Sequence, residues 1–179
     1  LHHILFVGSV SVYKDGHEFF SLGSFDVSTD GTRLLYGVDV EGDERYSLRV
    51  RDHATGADLD DVVENTSAGA CFSPDGRFVV YTTMDDAWRP DSVWLHEVGT
   101  DATADVRLFH EPDERYWVGA GFTRSEHDLV IDVGSSITTE EYLVPASDLR
   151  TPPRSIWPRR EGVEYSATHA VVGLSLIHI

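Results

Sequence analysis

Apolar residues alternate with polar residues in short runs along the whole chain, and no stretch shows a convincing helical period with caps. β-Branched and aromatic residues fill runs such as TRLLYGVDV, RFVVYTTM and HDLVIDVG. Period-two alternation of these residue types is typical of β-strands. The pattern therefore predicts an all-β protein.

One phrase recurs three times. The sequences STDG, SPDG and TRSE precede the three runs, and their first residues, Ser28, Ser73 and Thr123, lie 45 and 50 residues apart. Asp-Gly supplies the positive φ that a tight hairpin turn needs between two strands. Because the third copy lacks the glycine, a turn of another type is predicted there.

Each unit continues in the same order, with a polar connection, a second alternating run, a loop and a fourth short run (LDDVVEN, VRLFHE and RSIWPRR). Four antiparallel strands recurring every 40 to 50 residues or so indicate the blades of a β-propeller. Short strands with regular turns also suit a β-sandwich. The spacing of the repeat favours a partial β-propeller of about three blades plus the start of a fourth.

The repeat divides the chain into predicted segments. An N-terminal segment at 1–19 is followed by blades at 20–65, 66–115 and 116–162, by the first strand of the next blade at 163–170, and by a tail at 171–179. Because propellers have about 4–8 blades, we expect a fragment of a longer protein. The tail fits no blade phrase and is expected to be truncation or read-through sequence, so His2, His3 and His178 are not predicted to bind metal.

Composition narrows the classes of partner. The 31 acidic and 14 basic residues give a formal charge of −17, which repels nucleic acid. Such a charge either attracts cationic peptides or serves only to keep the protein soluble. Cys71 is the single cysteine, so no intrachain disulfide can form, which fits a reducing compartment such as the cytoplasm. Its place in an apolar run predicts a small core residue. No apolar run approaches the roughly 20 residues of a membrane helix, so no membrane partner is expected.

Motifs for chemistry are missing from the sequence. It contains no G-x-S-x-G nucleophile elbow, no HExxH, no CxxC and no phosphate-binding glycine loop.

The aromatic residues are more informative about a binding site. Tyr116 and Trp117 stand where the third blade begins, so Trp117 either packs between blades or touches whatever lies over the channel. Trp88 and Arg89, in a connecting loop, are predicted to stack on each other.

Several phrases together resemble the propeller half of the oligopeptidase B group, in the prolyl oligopeptidase family of serine peptidases. The resemblance runs from about His17 to Ala170, in the family's blade order, through HEFFSLGSFDVSTDG, GDERYSLRVRDHATG, WRPDSVWLHEVGT, EPDERYWVGAGFTRSEHDLVI and PRREGVEYSATHA. It implies a seven-bladed propeller joined to an α/β-hydrolase domain that carries the catalytic triad and selects Arg or Lys. No catalytic position falls within this chain, and neither a metal nor an organic cofactor is expected.

The resemblance implies that the propeller acts as a gate, admitting short basic peptides to the hydrolase domain of the same chain. The segments that begin each blade would then face the cavity or the domain interface. The matching positions are Asn65, Thr66, Asp113, Glu114, Tyr116, Trp117, Val118, Glu164 and Tyr165. The alternative is a non-catalytic propeller that serves as a binding scaffold, because a fold does not determine a function.

Overall fold

The computed structural model describes the backbone of residues 17–170 and 173–178 and the side chains of residues 17–169. The predicted N-terminal segment therefore lies outside the described residues as far as residue 16. The described residues form β-strands joined by turns and loops, with one 3-10 turn at Ala102–Ala104. In this part of the chain no helix has the length and apolar character needed to cross a membrane.

The first blade is an antiparallel sheet in which strands adjacent in sequence are adjacent in space. Its strands are β1 (Ser21–Val27), β2 (Arg33–Asp39), β3 (Tyr46–Asp52) and β4 (Asp58–Thr66). The second blade follows the same order, with β5 (Cys71–Phe72), β6 (Phe78–Met84), β7 (Pro90–Glu97) and β8 (Val106–His110). Thr66 pairs with Thr83, so the two blades share one eight-stranded sheet.

The third blade and the hairpin that follows are separate sheets. The blade contains β9 (Trp117–Phe122), β10 (Asp128–Gly134), β11 (Thr139–Pro145) and β12 (Arg154–Ser155), and the hairpin pairs β13 (Tyr165–Ala170) with β14 (Gly173–His178). Strand β12 is much shorter than the predicted run RSIWPRR. Pro153 and Pro158 flank it, and a proline nitrogen cannot donate a hydrogen bond to a neighbouring strand.

The three hairpin turns have one geometry, and the prediction of a different third turn is wrong. The amides of Gly31, Gly76 and Glu126 each donate to the carbonyl three residues earlier, at 2.7, 2.8 and 2.8 Å. Glu126 has a φ of 58°, close to the 72° and 67° of the two glycines. The hairpin register therefore imposes a left-handed backbone on a residue with a Cβ, at a cost of about 1–2 kcal/mol.

Successive side chains of the central strands point to opposite faces of the sheet and so belong to two different hydrophobic cores. On β6, Val79 and Tyr81 pack against the first blade, whereas Phe78 and Val80 pack against the third. Strands buried on both faces read as continuous apolar runs, which explains the run FVVY. Cys71 is half-buried against the second of these cores, as predicted, and burial raises the pKa of its thiol to about 12.

The fold class predicted from the repeat is confirmed. Three four-stranded antiparallel units, each covered by the next, and the opening hairpin of a fourth make up a partial β-propeller. The alternation of strand direction gives every blade two distinct ends. At one end, here called the crossing end, the chain passes from each blade to the next and the second strand turns into the third. The other end, here called the turn end, carries the three hairpin turns.

Candidate functional site at the crossing end

The loops of the crossing end are built on carboxylates that accept backbone hydrogen bonds. Asp39, at the end of β2, accepts from the amides of Glu41, Gly42 and Glu44 at 2.7–2.9 Å. Burial opposes its ionisation, but these amide bonds prevail and lower the pKa of Asp39. Asp85 stabilises the loop after β6 in the same way, because it accepts hydrogen bonds from the amides of Ala87 and Arg89 at 2.8 and 3.0 Å. The same local chemistry thus shapes the loops of the first two blades.

The loop after β2 and the loop after β6 are joined by side-chain hydrogen bonds. The indole nitrogen of Trp88 donates to the carbonyl of Asp43 at 2.7 Å, and Arg45 donates to the carbonyl of Asp85 at 3.2 Å. The guanidinium that stacks on Trp88 is that of Arg45, 5.4 Å from the ring centroid. The predicted stacking of Arg89 on Trp88 is therefore wrong, because Arg89 is drawn inward by a different set of acceptors.

Arg89 fixes the segment that leads into the third blade. Its side chain is buried, pairs with Asp85 at 2.9 Å, and donates to the carbonyls of Glu111, Asp113 and Tyr116 at 3.2, 3.2 and 2.8 Å. One guanidinium thereby sets the path of residues 111–116. That path decides which way the two aromatic side chains that follow it can point.

Neighbouring residues of the predicted site have opposite environments. Tyr116 and Val118 are buried in the core between the second and third blades, whereas Trp117 is 58% exposed. Trp117 begins β9, and successive side chains of a strand point to opposite faces. The Trp117 side chain is therefore not packed in the core between these blades, and whether it touches a ligand stays a prediction.

The other predicted positions divide between surface and interior. Asn65, Glu114 and Glu164 are exposed and Asp113 is half-buried, whereas Thr66 and Tyr165 are buried. The Thr66 hydroxyl donates to the carbonyl of Tyr46 at 3.1 Å. The Tyr165 hydroxyl donates to the carbonyl of Trp157 at 2.6 Å and accepts from the amide of Glu141 at 2.8 Å. These two side chains hold the ends of strands in place.

Trp117 separates two concave surfaces. On one side lies a groove of about 580 Å³, which Tyr46, Trp88 and Val118 also line. On the other side lies a depression of about 460 Å³, here called the acidic depression, whose lining is Asp85, Asp86, Ala87, Arg89, Glu114 and Trp117. The crossing end therefore brings Trp117 and Glu114 together, but Tyr165 lines a different hollow, beside β13.

The acidic depression has the chemistry of a cation site. Asp86 and Glu114 contribute exposed carboxylates to its lining, whereas the Asp85 carboxylate is paired with Arg89 at 2.9 Å. The Arg89 guanidinium is also bonded to three carbonyls, so it faces no ligand unpaired. An exposed indole face attracts ammonium and guanidinium groups, and adjacent carboxylates add to that attraction. The arrangement suits the side chain of an arginine or lysine.

An acidic side chain also reaches the inner wall of the groove. Gly119 lies opposite Asp132 on the neighbouring strand, and a Cβ at Gly119 would lie 2.7 Å from the Asp132 carboxylate oxygens. Asp132 also lies opposite Glu141. Desolvation raises the pKa of both carboxyl groups, and the charge of Asp132 adds to the rise at Glu141. The absence of a side chain at Gly119 thus leaves room for the Asp132 carboxylate in the lining of the groove.

A second arginine, which sequence reasoning missed, joins the crossing end across the second and third blades. Arg159 pairs with Glu140 at 2.7 Å and with Glu111, and its guanidinium lies 4.2 Å from the centroid of the Tyr116 ring. Burial opposes ionisation of Glu140, but Arg159 and Ser155 outweigh it and lower the pKa of that carboxyl. The pairs connect positions up to 48 residues apart, which no local sequence signal reveals.

The described residues hold no assembled Ser-His-acid triad. Ser92 and Asp91 both approach Nδ1 of His110, at 3.0 and 3.5 Å, so one nitrogen would have to serve both partners. A triad needs the hydroxyl and the carboxylate on different ring nitrogens. Among the described residues, Ser92, His110 and Asp91 therefore do not have the arrangement of a catalytic triad.

The chain was compared with known protein families and with solved structures. The sequence profile of the prolyl oligopeptidase N-terminal β-propeller domain matches residues 12–176, which reaches into the segment 171–179. Dipeptidyl aminopeptidase BI of Pseudoxanthomonas mexicana is 30% identical over 161 residues, which is 89% of this chain and 22% of the relative. Protease 2 of Moraxella lacunata is 28% identical over 156 residues, 85% of this chain and 22% of that protein.

Solved structures give the same fold. Oligopeptidase B from Trypanosoma brucei, in a closed form with covalently bound antipain, has a TM-score of 0.84 at 26% identity, over 94% of this chain and 26% of the other. Oligopeptidase B from Leishmania major has a TM-score of 0.85 at 22% identity, over 89% and 23%. This chain thus spans about a quarter or less of the length of these relatives. It belongs to the prolyl oligopeptidase family of S9 peptidases, as an N-terminal β-propeller domain.

Proposed function

We propose that this chain is part of an oligopeptidase B-like serine peptidase that cleaves short peptides after Arg or Lys. The propeller acts as the gate of a hydrolase domain in the same protein, and the protein is cytoplasmic. The observation that carries the proposal is the acidic depression beside Trp117, because its carboxylates and exposed indole suit a basic side chain.

The positions of the charged and aromatic residues support the proposed gating role. Trp117, Glu114 and Asp86 share the end of the sheets at which the chain passes between blades, which is where a second domain and its substrate would meet a propeller. Exposed ion pairs between the acidic residues of this surface and a second domain would contribute about 0–1 kcal/mol each. Contacts of this strength break and re-form readily, as opening and closing of a gate require.

The reaction is tested with the protein encoded by the complete gene. We expect hydrolysis of N-terminally blocked Arg and Lys amide substrates and little hydrolysis of the matching Pro substrate, while the 179-residue chain alone is inactive. An N-terminal block prevents release of dipeptides, so a dipeptidyl aminopeptidase would require the free amine. Absence of hydrolysis from the whole protein would favour the binding scaffold, and preference for Pro or for unblocked dipeptides would contradict the proposed specificity.

The peptide-binding role of Trp117 is tested in the same whole protein. We expect Trp117→Ala to raise KM about 2–5-fold for basic peptides of several residues, which is the value of an exposed cation–π contact of about 0.5–1 kcal/mol. Trp117→Phe keeps an aromatic face and should restore most of the loss. A single-residue Arg amide, too short to reach Trp117, should keep its KM. Equal effects on short and long substrates would contradict a contact with the peptide.

A further inference from the structure

Two histidines meet at the turn end of the third blade, away from the crossing end. His127 closes the hairpin turn between β9 and β10, and His169 lies near the end of β13. Their rings stack with centroids 4.8 Å apart and an interplanar angle of 25°. With Asp128 they offer one ligand atom each, and these three atoms all lie within 4.8 Å of one another.

Neighbouring oxygens orient both imidazoles. Nδ1 of His127 lies 3.0 Å from a carboxylate oxygen of Asp128, and Nδ1 of His169 lies 2.6 Å from the hydroxyl of Ser125. When Nδ1 of His169 donates its hydrogen to the Ser125 hydroxyl, Nε2 of His169 carries the lone pair that binds a metal. In His127, a cation would take the place of the hydrogen between Nδ1 and the Asp128 carboxylate. Side chains held in this way need little reorganisation when a cation binds.

The donor set selects a chemical class of ligand. Two imidazole nitrogens and one carboxylate suit Zn²⁺ and similar divalent transition metals, whereas Mg²⁺ and Ca²⁺ prefer an all-oxygen shell. Asp128 is largely buried and His127 is largely exposed, with side-chain exposures of 13% and 68%. A cation can therefore enter from solvent and still meet a carboxylate that is shielded from water.

The cluster lies where the end of β13 meets the hairpin turn of the third blade. Strand β13 is attached to the third blade at its start, where Thr139 and Tyr165 exchange hydrogen bonds at 2.7 and 2.8 Å. It is attached again in its middle, where the amide of Ala167 donates to Glu141 at 2.9 Å. His169 lies beyond both attachments, beside a turn 44 residues earlier in sequence.

We propose that His127, Asp128 and His169 form a binding site for Zn²⁺ or a similar transition metal, which fastens the end of β13 to the hairpin turn of the third blade. The site stabilises the propeller between two consecutive blades and takes no part in peptide binding at the crossing end. Its failure and the failure of the proposed peptidase activity are therefore separate results.

The site is tested by titrating the full chain with Zn²⁺ alone, in a background where His2, His3 and His178 are replaced by Asn. We expect one equivalent to bind, hydrogen exchange of the β13 amides to slow, and Co²⁺ to give the visible bands of a nitrogen-ligated site. His127→Asn and His169→Asn should each weaken binding at least about tenfold. His53→Asn, at an exposed turn of the first blade, is the matched control and should bind as the parent does.

Two outcomes would overturn the proposal. One is equal Zn²⁺ affinity in the parent, His127→Asn and His169→Asn proteins. The other is binding that leaves exchange of the β13 amides unchanged while it protects amides elsewhere. Circular dichroism of each variant verifies that the fold is retained, and because His127 is exposed its replacement by Asn is expected to be tolerated.

Discussion

Replacement of Arg159 by methionine is expected to lower the free energy of unfolding by about 3–5 kcal/mol. Arg159 lies between Glu111 and Glu140, whose side chains are only 6% and 8% exposed. Removing the guanidinium leaves two buried carboxylates without their cation and removes the group that stacks on Tyr116. The change is measured by urea unfolding of the full chain, followed through tryptophan fluorescence.

The neighbouring arginine is the matched control. Arg160 is exposed and lies over the ring of Trp157 at 5.0 Å, so Arg160→Met should change stability by well under 1 kcal/mol. The triple variant Arg159→Met, Glu111→Gln, Glu140→Gln should recover much of the loss, because it removes the unpaired charges. A single variant that loses less than about 1 kcal/mol would show that water already compensates these carboxylates.

The pairing of Arg159 with Glu140 also predicts how the free energy of unfolding changes with pH. The pKa of Glu140 is below its ordinary value of 4.5 in the folded chain, so its ionised form contributes stability above that value. This contribution is lost as the pH falls through the lowered pKa. In the Arg159→Met protein the Glu140 carboxyl no longer gains this stability from ionisation, so the deficit relative to the parent should shrink as the pH falls below 4.5. A deficit that stays constant as the pH falls from neutral through 4.5 and below the lowered pKa of Glu140 would contradict the pairing.

Replacement of His96 by leucine is expected to cost a similar amount, about 3–5 kcal/mol. The imidazole is 1% exposed, with Nδ1 2.7 Å from Asp105 and Nε2 2.9 Å from Asp61. A carboxylate therefore faces each ring nitrogen. Asp61 belongs to the first blade and His96 to the second, and the Tyr81 hydroxyl also donates to Asp105 at 2.8 Å. Loss of the ring would leave two buried acids facing each other across the blade boundary.

The controls for His96 separate charge from packing. His53→Leu changes an exposed histidine of the first blade and should leave the unfolding midpoint nearly unchanged. Adding Asp61→Asn and Asp105→Asn to His96→Leu should restore part of the stability, since neutral amides are less costly to bury than unpaired carboxylates. If the triple variant is no more stable than His96→Leu, loss of packing rather than unpaired charge explains the effect.

The unit of the fold could be predicted from sequence because its physical cause is local. Alternation of apolar and polar residues places side chains on two faces of a strand, and Asp-Gly marks the turns at Gly31 and Gly76. The recurrence of these signals at a blade-like spacing was sufficient to predict a propeller. The same local reasoning was wrong about Glu126, because the hairpin around it imposes a backbone that its own residue type disfavours.

The candidate site was predicted only as a region. The repeat placed Tyr116 and Trp117 where a blade begins, but not which ring is buried, because that depends on the path that Arg89 gives to the preceding segment. The resemblance to a peptidase family pointed to the same segments. It could not show which side chains are exposed either, because a resemblance aligns sequence positions and not side-chain directions. Glu114 and Trp117 share the acidic depression, whereas Glu164 and Tyr165 lie beside a different blade boundary.

By itself the sequence determined that this protein is built of β-strands, how they group into blades, and that its surface is strongly acidic. The tertiary structure decided which side chains meet: Arg159 with Glu111, His96 with Asp61, and His127 with His169. The physical reason is distance along the chain. Strand periodicity and turns depend on residues within a few positions of one another, whereas these contacts join residues 35 to 48 positions apart that only the packing of successive blades brings together.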